Sequence, residues 1–148
     1  MQLLTFLLNS VRFGIPVDDV ESIETRMDVV RVPNAPANIE GIINLHGEII
    51  PICSLAGYFG YPRQDIKNVI VASMNGMKIG MEVEYVQEII DVNDQQVIPM
   101  PAIMNETQGC FNDVASYDKQ LIVMLDVAKL IPHADQQGIQ KLIEDNSR

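Results

Sequence analysis

An internal duplication constrains the fold of this chain more than any other feature of its sequence. A shift of 66 residues places the segment 13–20 on the segment 79–86, and with it Gly14 on Gly80. A slightly larger shift pairs further segments, 41–43 with 109–111 and 50–55 with 122–127. Matched glycines and a matched apolar phase make chance a poor explanation. Because each copy contains short apolar runs separated by turn signals, we predict an all-β chain of two small β-barrel lobes packed together.

The stretch 32–60 predicts a β-hairpin with a polar tip. Two apolar runs, 42–45 and 49–53, are separated by His46-Gly47, a glycine-containing turn. Pro51 lies inside the returning run, and because proline cannot donate to a ladder, we expect an edge position or a bulge there. Binding residues are often found on polar tips of rigid scaffolds, so the tip is a candidate binding site.

Other elements are predicted from similar local signals. We expect strands over 3–8, 11–17, 66–74, 77–83 and 121–127, a short helix or turn over 54–62, and the loosest part of the chain over 104–120. Asn75-Gly76 predicts a type I′ turn. After Pro132, Asp135 can cap an amphipathic helix that plugs one end of a barrel. The apolar face of this helix consists of Ile139, Leu142 and Ile143.

Composition excludes several classes of function. The formal net charge is −10, from 20 acidic and 10 basic residues, whereas nucleic-acid binding needs a positive face. No apolar run approaches the roughly 18 residues that span a bilayer, and the amino terminus lacks the pattern of a signal peptide. Cys53 and Cys110 form no paired motif and are expected to be buried thiols of a reducing compartment. We therefore predict a cytoplasmic protein that binds neither nucleic acid nor membrane.

The residue patterns of common catalytic sites are missing. The sequence contains no phosphate-binding glycine loop and no nucleophile elbow. His46 and His133 lie far apart without neighbours at ligand spacing, which argues against a metal site. A protease with one aspartate from each lobe would need two matched acids, but Asp126 faces Ser54 in the duplication. We predict no enzymatic activity and no cofactor.

Four stretches of the sequence carry a resemblance to a known family. They read FGIPVDDVESI, VPNAPANIEGIINLHGEIIPICSL, VIVASMNGMKIGMEVEYVQEII and LIVMLDVAKLI. Over residues 3–132 the chain resembles the CheW-like domain, which implies two five-stranded SH3-like β-barrels. It also implies a non-enzymatic adaptor that joins the cytoplasmic tips of methyl-accepting chemoreceptors to the regulatory domain of the histidine kinase CheA.

We predict one such domain over residues 1–133. Its first lobe is expected over 11–75, and its second over 76–133 together with the N-terminal strand. A C-terminal amphipathic helix and tail are expected over 134–148.

The resemblance implies seven partner-binding positions: Val20, Ser22, Gly41, Asn44, Leu45, His46 and Gly47. Where the family has an Asn-Leu-Arg-Gly tip, His46 replaces the arginine and so gives up a permanent charge. Ser22 stands where the family has glutamate. Ser54 and Ala56 stand where it has an acid and a base. We expect a charge introduced at Val20 or Gly41 to weaken partner binding and to leave the domain folded.

Two alternatives stay open at this point. One is an adaptor of the same fold that serves another receptor and kinase system, which the altered tip favours. The other is a small-ligand-binding or hydrolytic β-barrel protein, which would require a polar pocket with convergent acids, and the sequence offers no such set.

Overall fold

The fold is described from a computed structural model, which covers residues 1–36, 38–99, 111–130 and 133–146. The strands in chain order are β1 (Gln2–Leu8), β2 (Val11–Pro16), β3 (Val20–Thr25), β4 (Ile39–Leu45), β5 (Glu48–Ser54), β6 (Asn68–Met74), β7 (Met77–Val83), β8 (Tyr85–Asp91), β9 (Val97–Pro99), β10 (Phe111–Tyr117) and β11 (Gln120–Leu125). The helices are α1 (Leu55–Phe59) and α2 (His133–Asn146), with 3-10 helices at Val17–Asp19, Asp94–Gln96 and Val127–Lys129. No helix in the described ranges has the length and apolar character needed to span a bilayer.

The strands form two sheets with the same plan. The five-stranded sheet has the order β3-β6-β7-β5-β4, and the six-stranded sheet has the order β8-β1-β2-β11-β10-β9. Each contains one parallel pair at equivalent places, with Gly80 opposite Ile52 in the first sheet and Gly14 opposite Met124 in the second. The predicted all-β fold of two barrels is confirmed. The sixth strand, β9, was not predicted from the sequence.

The two halves of the duplication exchange hairpins. The β1–β2 hairpin of the first copy pairs with strands of the second copy, while the β6–β7 hairpin of the second copy pairs with β3 and β5 of the first. The predicted lobe bounds are therefore wrong, since β2 belongs to the six-stranded lobe and β7 to the five-stranded lobe. A repeat reveals which segments are equivalent, but it carries no information on which copies pair.

The exchanged hairpins are buried on both faces. In β1, Leu4, Phe6 and Leu8 point into the largest apolar cluster, whereas Leu3 belongs to a separate cluster of the six-stranded lobe. The same alternation occurs in β6, where Ile70 points to the largest cluster and its neighbours point into the five-stranded barrel. We call the largest cluster the shared core, because residues of both sheets contribute to it. Burial on both faces explains why these strands are almost continuously apolar.

Pro51 lies in an inner strand and not at the predicted edge or bulge, because β5 is flanked by β4 and β7. Pro51 is opposite Ile42, whose backbone N–H and C=O bond to Val30 instead of to β5. The Pro51 nitrogen therefore points away from β4. On its other side, pairing with β7 begins only at Ile52. The backbone N–H that proline lacks would therefore have no hydrogen-bond acceptor on either neighbouring strand, so proline is tolerated at this position.

Most predicted local elements are confirmed. His46-Gly47 and Asn75-Gly76 both have positive φ at the two turn residues, as type I′ hairpins require. Helix α1 is capped by the Ser54 side chain at its start and ends at Gly60, whose φ is 71°. The last strand ends at Leu125 instead of 127, because a short 3-10 helix follows.

The segment 104–120 and the C-terminal helix differ from expectation. Residues 111–117 form strand β10 between β9 and β11, with one register irregularity near its start, so this part is not loose. Residues 104–110, including Cys110, lie outside the described residues. Helix α2 begins at His133, before the predicted cap; Pro132 and the Asp135 side chain also lie outside them. Ile139 and Leu142 are buried in the shared core, which confirms the predicted apolar face.

Candidate functional site

The tip of the β4–β5 hairpin is a rigid polar turn. His46 and Gly47 have φ values of 53° and 85°, and the Asn44 side-chain oxygen accepts a hydrogen bond of 2.9 Å from the Gly47 backbone N–H. Asn44, His46 and Gly47 are exposed, whereas Leu45 is half-buried against the core of the five-stranded barrel. The tip thus presents an imidazole and a small backbone surface to solvent, with Leu45 as its anchor.

Replacing His46 with asparagine separates the turn from the imidazole. Asparagine adopts positive φ more readily than histidine, so His46→Asn is expected to keep the fold and to raise the free energy of unfolding by about 0.5 kcal/mol. Chemical denaturation measures this change. If partner affinity falls while stability does not, the imidazole itself contacts the partner; an unstable variant would contradict the assigned turn geometry.

Gly41 is buried, in contrast to the tip. A Cβ built on Gly41 would lie 2.2 Å from the carbonyl oxygen of Val30 and 2.8 Å from a methyl carbon of Val29. The segment that contains Val29 and Val30 runs alongside β4, and Val30 pairs with Ile42. Gly41 therefore permits a close approach of two backbones, and this segment covers it.

Val20 and Ser22 lie on β3, at the other edge of the five-stranded sheet. Val20 is half-buried and packs against the shared core, and Ser22 is also half-buried. Their neighbour Ile23 is 44% exposed. Three strands separate β3 from β4 in the sheet order, so the seven predicted positions fall into two groups, one on the β3 edge and one on the β4–β5 hairpin.

Strand β8 is the counterpart of β3 in the other lobe. It forms one edge of the six-stranded sheet, and it carries Ile89, which is 54% exposed, and Tyr85, which is also exposed. In the duplication Ile89 aligns with Ile23. Sequence reasoning missed this pair as a surface feature, although the alignment of two isoleucines on equivalent strands was a usable signal.

A cavity of about 770 Å³ with charged and apolar lining opens on the five-stranded lobe. We call it the arginine cavity, after Arg26, Arg31 and Arg63 in its lining. Glu40 and Glu82 also line it, as do Ser54 and Ala56 at the start of α1. Sequence reasoning missed this site. The sequence feature that could have indicated it is Glu82, a charged residue at an inward-facing position of the inner strand β7.

Glu82 is only 8% exposed. Burial, the hydrogen bond to Glu40 and the charge of Glu40, in that order of size, together raise the pKa of its carboxyl to about 8 against the opposing charge of Arg26. At neutral pH, protonated Glu82 therefore donates to the Glu40 carboxylate. Glu82 lies opposite Ser54 on β5, so the two carboxyl groups meet across that strand.

The acids and the cysteine of the described residues do not form a metal site. Asp126 and Ser54, which face each other in the duplication, cap separate helical turns through backbone N–H groups. Within the described ranges, no three His, Cys, Asp or Glu side chains come together as a metal site would require.

The two barrels expose apolar side chains on their sheet edges and a rigid polar hairpin tip, which are features of a protein that binds other proteins. Comparison with known proteins gives the family. The model of the CheW-like domain matches residues 2–135, and the chain belongs to this family. Its members are scaffolding or adaptor proteins of chemotaxis.

Individual members of the family are similar to this chain over most of their length. The chain is 27% identical over 132 residues to the chemotaxis protein CheW of Thermotoga maritima, covering 88% of this chain and 87% of that protein. It is 22% identical to the CheW of Bacillus subtilis, covering 99% and 94%. The crystal structure of the scaffolding protein TtCheW from Thermoanaerobacter tengcongensis superposes with a TM-score of 0.82 at 26% identity, covering 90% of this chain and 89% of that one.

Proposed function

We propose that this protein couples the cytoplasmic tips of chemoreceptors to the regulatory domain of the histidine kinase CheA, in the bacterial cytoplasm. Membership of a family of chemotaxis scaffolds supports the role. The net charge of −10 fits a protein that avoids nucleic acid and anionic membranes. Neither partner requires chemistry from the chain, since coupling depends on binding two proteins at once.

One structural observation carries the proposal. The duplication produces two equivalent edge strands, β3 and β8, with exposed isoleucines at matching positions. An edge strand presents backbone donors and acceptors on its outer side, and an apolar side chain there adds area that a partner can bury. Two such edges on one rigid body fit an adaptor that holds two partners simultaneously.

Charges on the two edges are expected to affect different partners. Ile23→Glu should weaken binding at the β3 edge, beside Val20 and Ser22, by about tenfold or more, because a buried interface cannot accommodate an unpaired carboxylate. Ile89→Glu should act in the same way on the partner at the β8 edge. Calorimetric titration with the CheA regulatory domain, and separately with a receptor tip fragment, measures both effects.

The matched control is Leu121→Glu, which adds the same charge at an exposed leucine of the inner strand β11. It should leave both affinities unchanged. Equal losses for all three variants would show a general charge effect and contradict the two-edge assignment. If the folded wild-type chain binds neither CheA nor the receptor, the altered residues His46, Ser54 and Ala56 would instead favour a different receptor and kinase system.

A further inference from the structure

The arginine cavity brings together three arginines that form no ion pair with the described residues. Three of the four arginines that the structure describes line it. Arg12, the fourth, is paired at 2.9 Å with Glu88 in the other lobe. For Arg26, Arg31 and Arg63, the described residues contain no carboxylate within the 4.0 Å of an ion pair. All three arginines are exposed, and their position around one cavity, without an ion pair to the described carboxylates, indicates a site for an anion.

The charge of the cavity at neutral pH is positive. Its acidic lining consists of Glu40, Asp65 and Glu82, but Glu82 holds its proton for the reasons given above. The three arginines thus face two carboxylates, which leaves one excess positive charge. A singly charged anion balances this excess, whereas a doubly charged phosphate meets the repulsion of the remaining carboxylates.

The rest of the lining is partly apolar and can contact the hydrocarbon part of an organic ligand. Ile39 and Ala56 are buried side chains of the cavity wall, and Ile66 and Tyr61 are half-buried in it. The volume lies in the range of small-molecule sites. Ser54 and Ala56 contribute to the opening, because both are smaller than the acid and base that the family resemblance implies at these positions.

We propose that the arginine cavity binds a small organic monocarboxylate, with its carboxylate held by Arg31 and Arg63 and its apolar body against Ile39 and Tyr61. The site lies on the five-stranded lobe and does not depend on the adaptor role. Arg26, also in the lining, adds a third positive charge, and Glu82 while protonated adds no negative one.

A matched pair of ligands tests the charge requirement. Phenylacetate and its neutral amide, phenylacetamide, differ in charge and little in shape. We expect saturable, one-to-one binding of phenylacetate at pH 7 by the full chain, with amide chemical-shift changes at Ala56 and Gly57, and no saturable binding of phenylacetamide or inorganic phosphate. Absence of phenylacetate binding would overturn the proposal. Binding of phenylacetamide or of inorganic phosphate with the same affinity as phenylacetate would also overturn it.

Variants then locate the site. Arg31→Ala and Arg63→Ala should each weaken phenylacetate binding by about tenfold or more, because each removes a charged hydrogen-bond donor. Lys141→Ala removes the same charge from an exposed position of α2 and should leave the affinity unchanged. Circular dichroism confirms that each variant is folded. Equal affinities in the arginine variants and the wild type, or an equal loss in Lys141→Ala, would overturn the assignment.

The pH dependence supplies an independent signature. Raising the pH from 7 to 9 ionises Glu82 and removes the excess positive charge, so phenylacetate affinity should fall by about threefold or more. Glu82→Gln keeps a neutral donor beside Glu40 and should bind phenylacetate at pH 7 with no such loss at pH 9. A wild-type affinity that is the same at pH 7 and pH 9 would remove Glu82 from the site.

Discussion

Gly41→Ala is expected to lower the free energy of unfolding by about 2–4 kcal/mol, because the added methyl group overpacks a rigid backbone contact. The Cβ would lie 2.2 Å from the Val30 carbonyl oxygen, and a backbone atom cannot rotate away as a flexible side chain can. Relief requires that the segment through Val30 leaves β4, which breaks the two hydrogen bonds that join Val30 to Ile42. Met27 and Val29, on the same segment, would lose their contacts with the barrel core.

Chemical denaturation of Gly41→Ala beside Gly57→Ala measures this effect. Gly57 lies in α1, where an added Cβ meets the Ser54 hydroxyl at 3.3 Å, and alanine favours helix over glycine. The control should therefore match the wild type or exceed it slightly. If Gly41→Ala is as stable as the control, the contact with Val30 is not rigid, and Gly41 becomes available as a partner contact.

The same geometry changes how the effect of a charged substitution at Gly41 on partner binding is interpreted. The sequence led us to expect that such a variant would stay folded and lose only its partners. In the structure a glutamate there meets the same backbone atoms as alanine and is larger, so reduced binding would follow from reduced stability. Ile23 and Ile89 are better probes of the interface, since both are exposed before any partner binds.

Local features of the fold could be predicted from the sequence because local signals determine them. The turn at His46-Gly47, the turn at Asn75-Gly76 and the capping of α1 each depend on residues within a few positions of one another. The pairing between lobes depends on contacts far apart in sequence. Exchange of the β1–β2 and β6–β7 hairpins leaves every local pattern unchanged, so the duplication alone could not reveal it.

The candidate site divides in the same way. The hairpin tip was predicted because its polar residues interrupt two apolar runs. The arginine cavity was not predicted, since Arg26, Arg63 and Glu82 come from separate parts of the chain that meet only in the folded barrel.

Glu82→Gln is expected to change the pH dependence of stability more than any other single carboxyl substitution in the described residues. The folded-state pKa of Glu82 is about 8 against an ordinary value of 4.5, so between these values the folded chain holds a proton that the unfolded chain has released. Stability therefore decreases as the pH rises through this interval, by at most about 1.4 kcal/mol per pH unit, and levels off above pH 8. Glutamine does not ionise and removes this contribution.

Denaturation of both proteins at pH 5.5 and pH 8 isolates the effect, because all other titrating groups are common to them. The advantage of Glu82→Gln over the wild type should be greater at pH 8 than at pH 5.5 by about 2–3 kcal/mol. Glu21→Gln, which neutralises an exposed carboxyl on β3, should run parallel to the wild type. If the difference between Glu82→Gln and the wild type is the same at both pH values, then Glu82 is ionised in the folded chain. The cavity lining would then contain three carboxylates, those of Glu40, Asp65 and Glu82, opposite its three arginines, and no excess positive charge would remain for an anion.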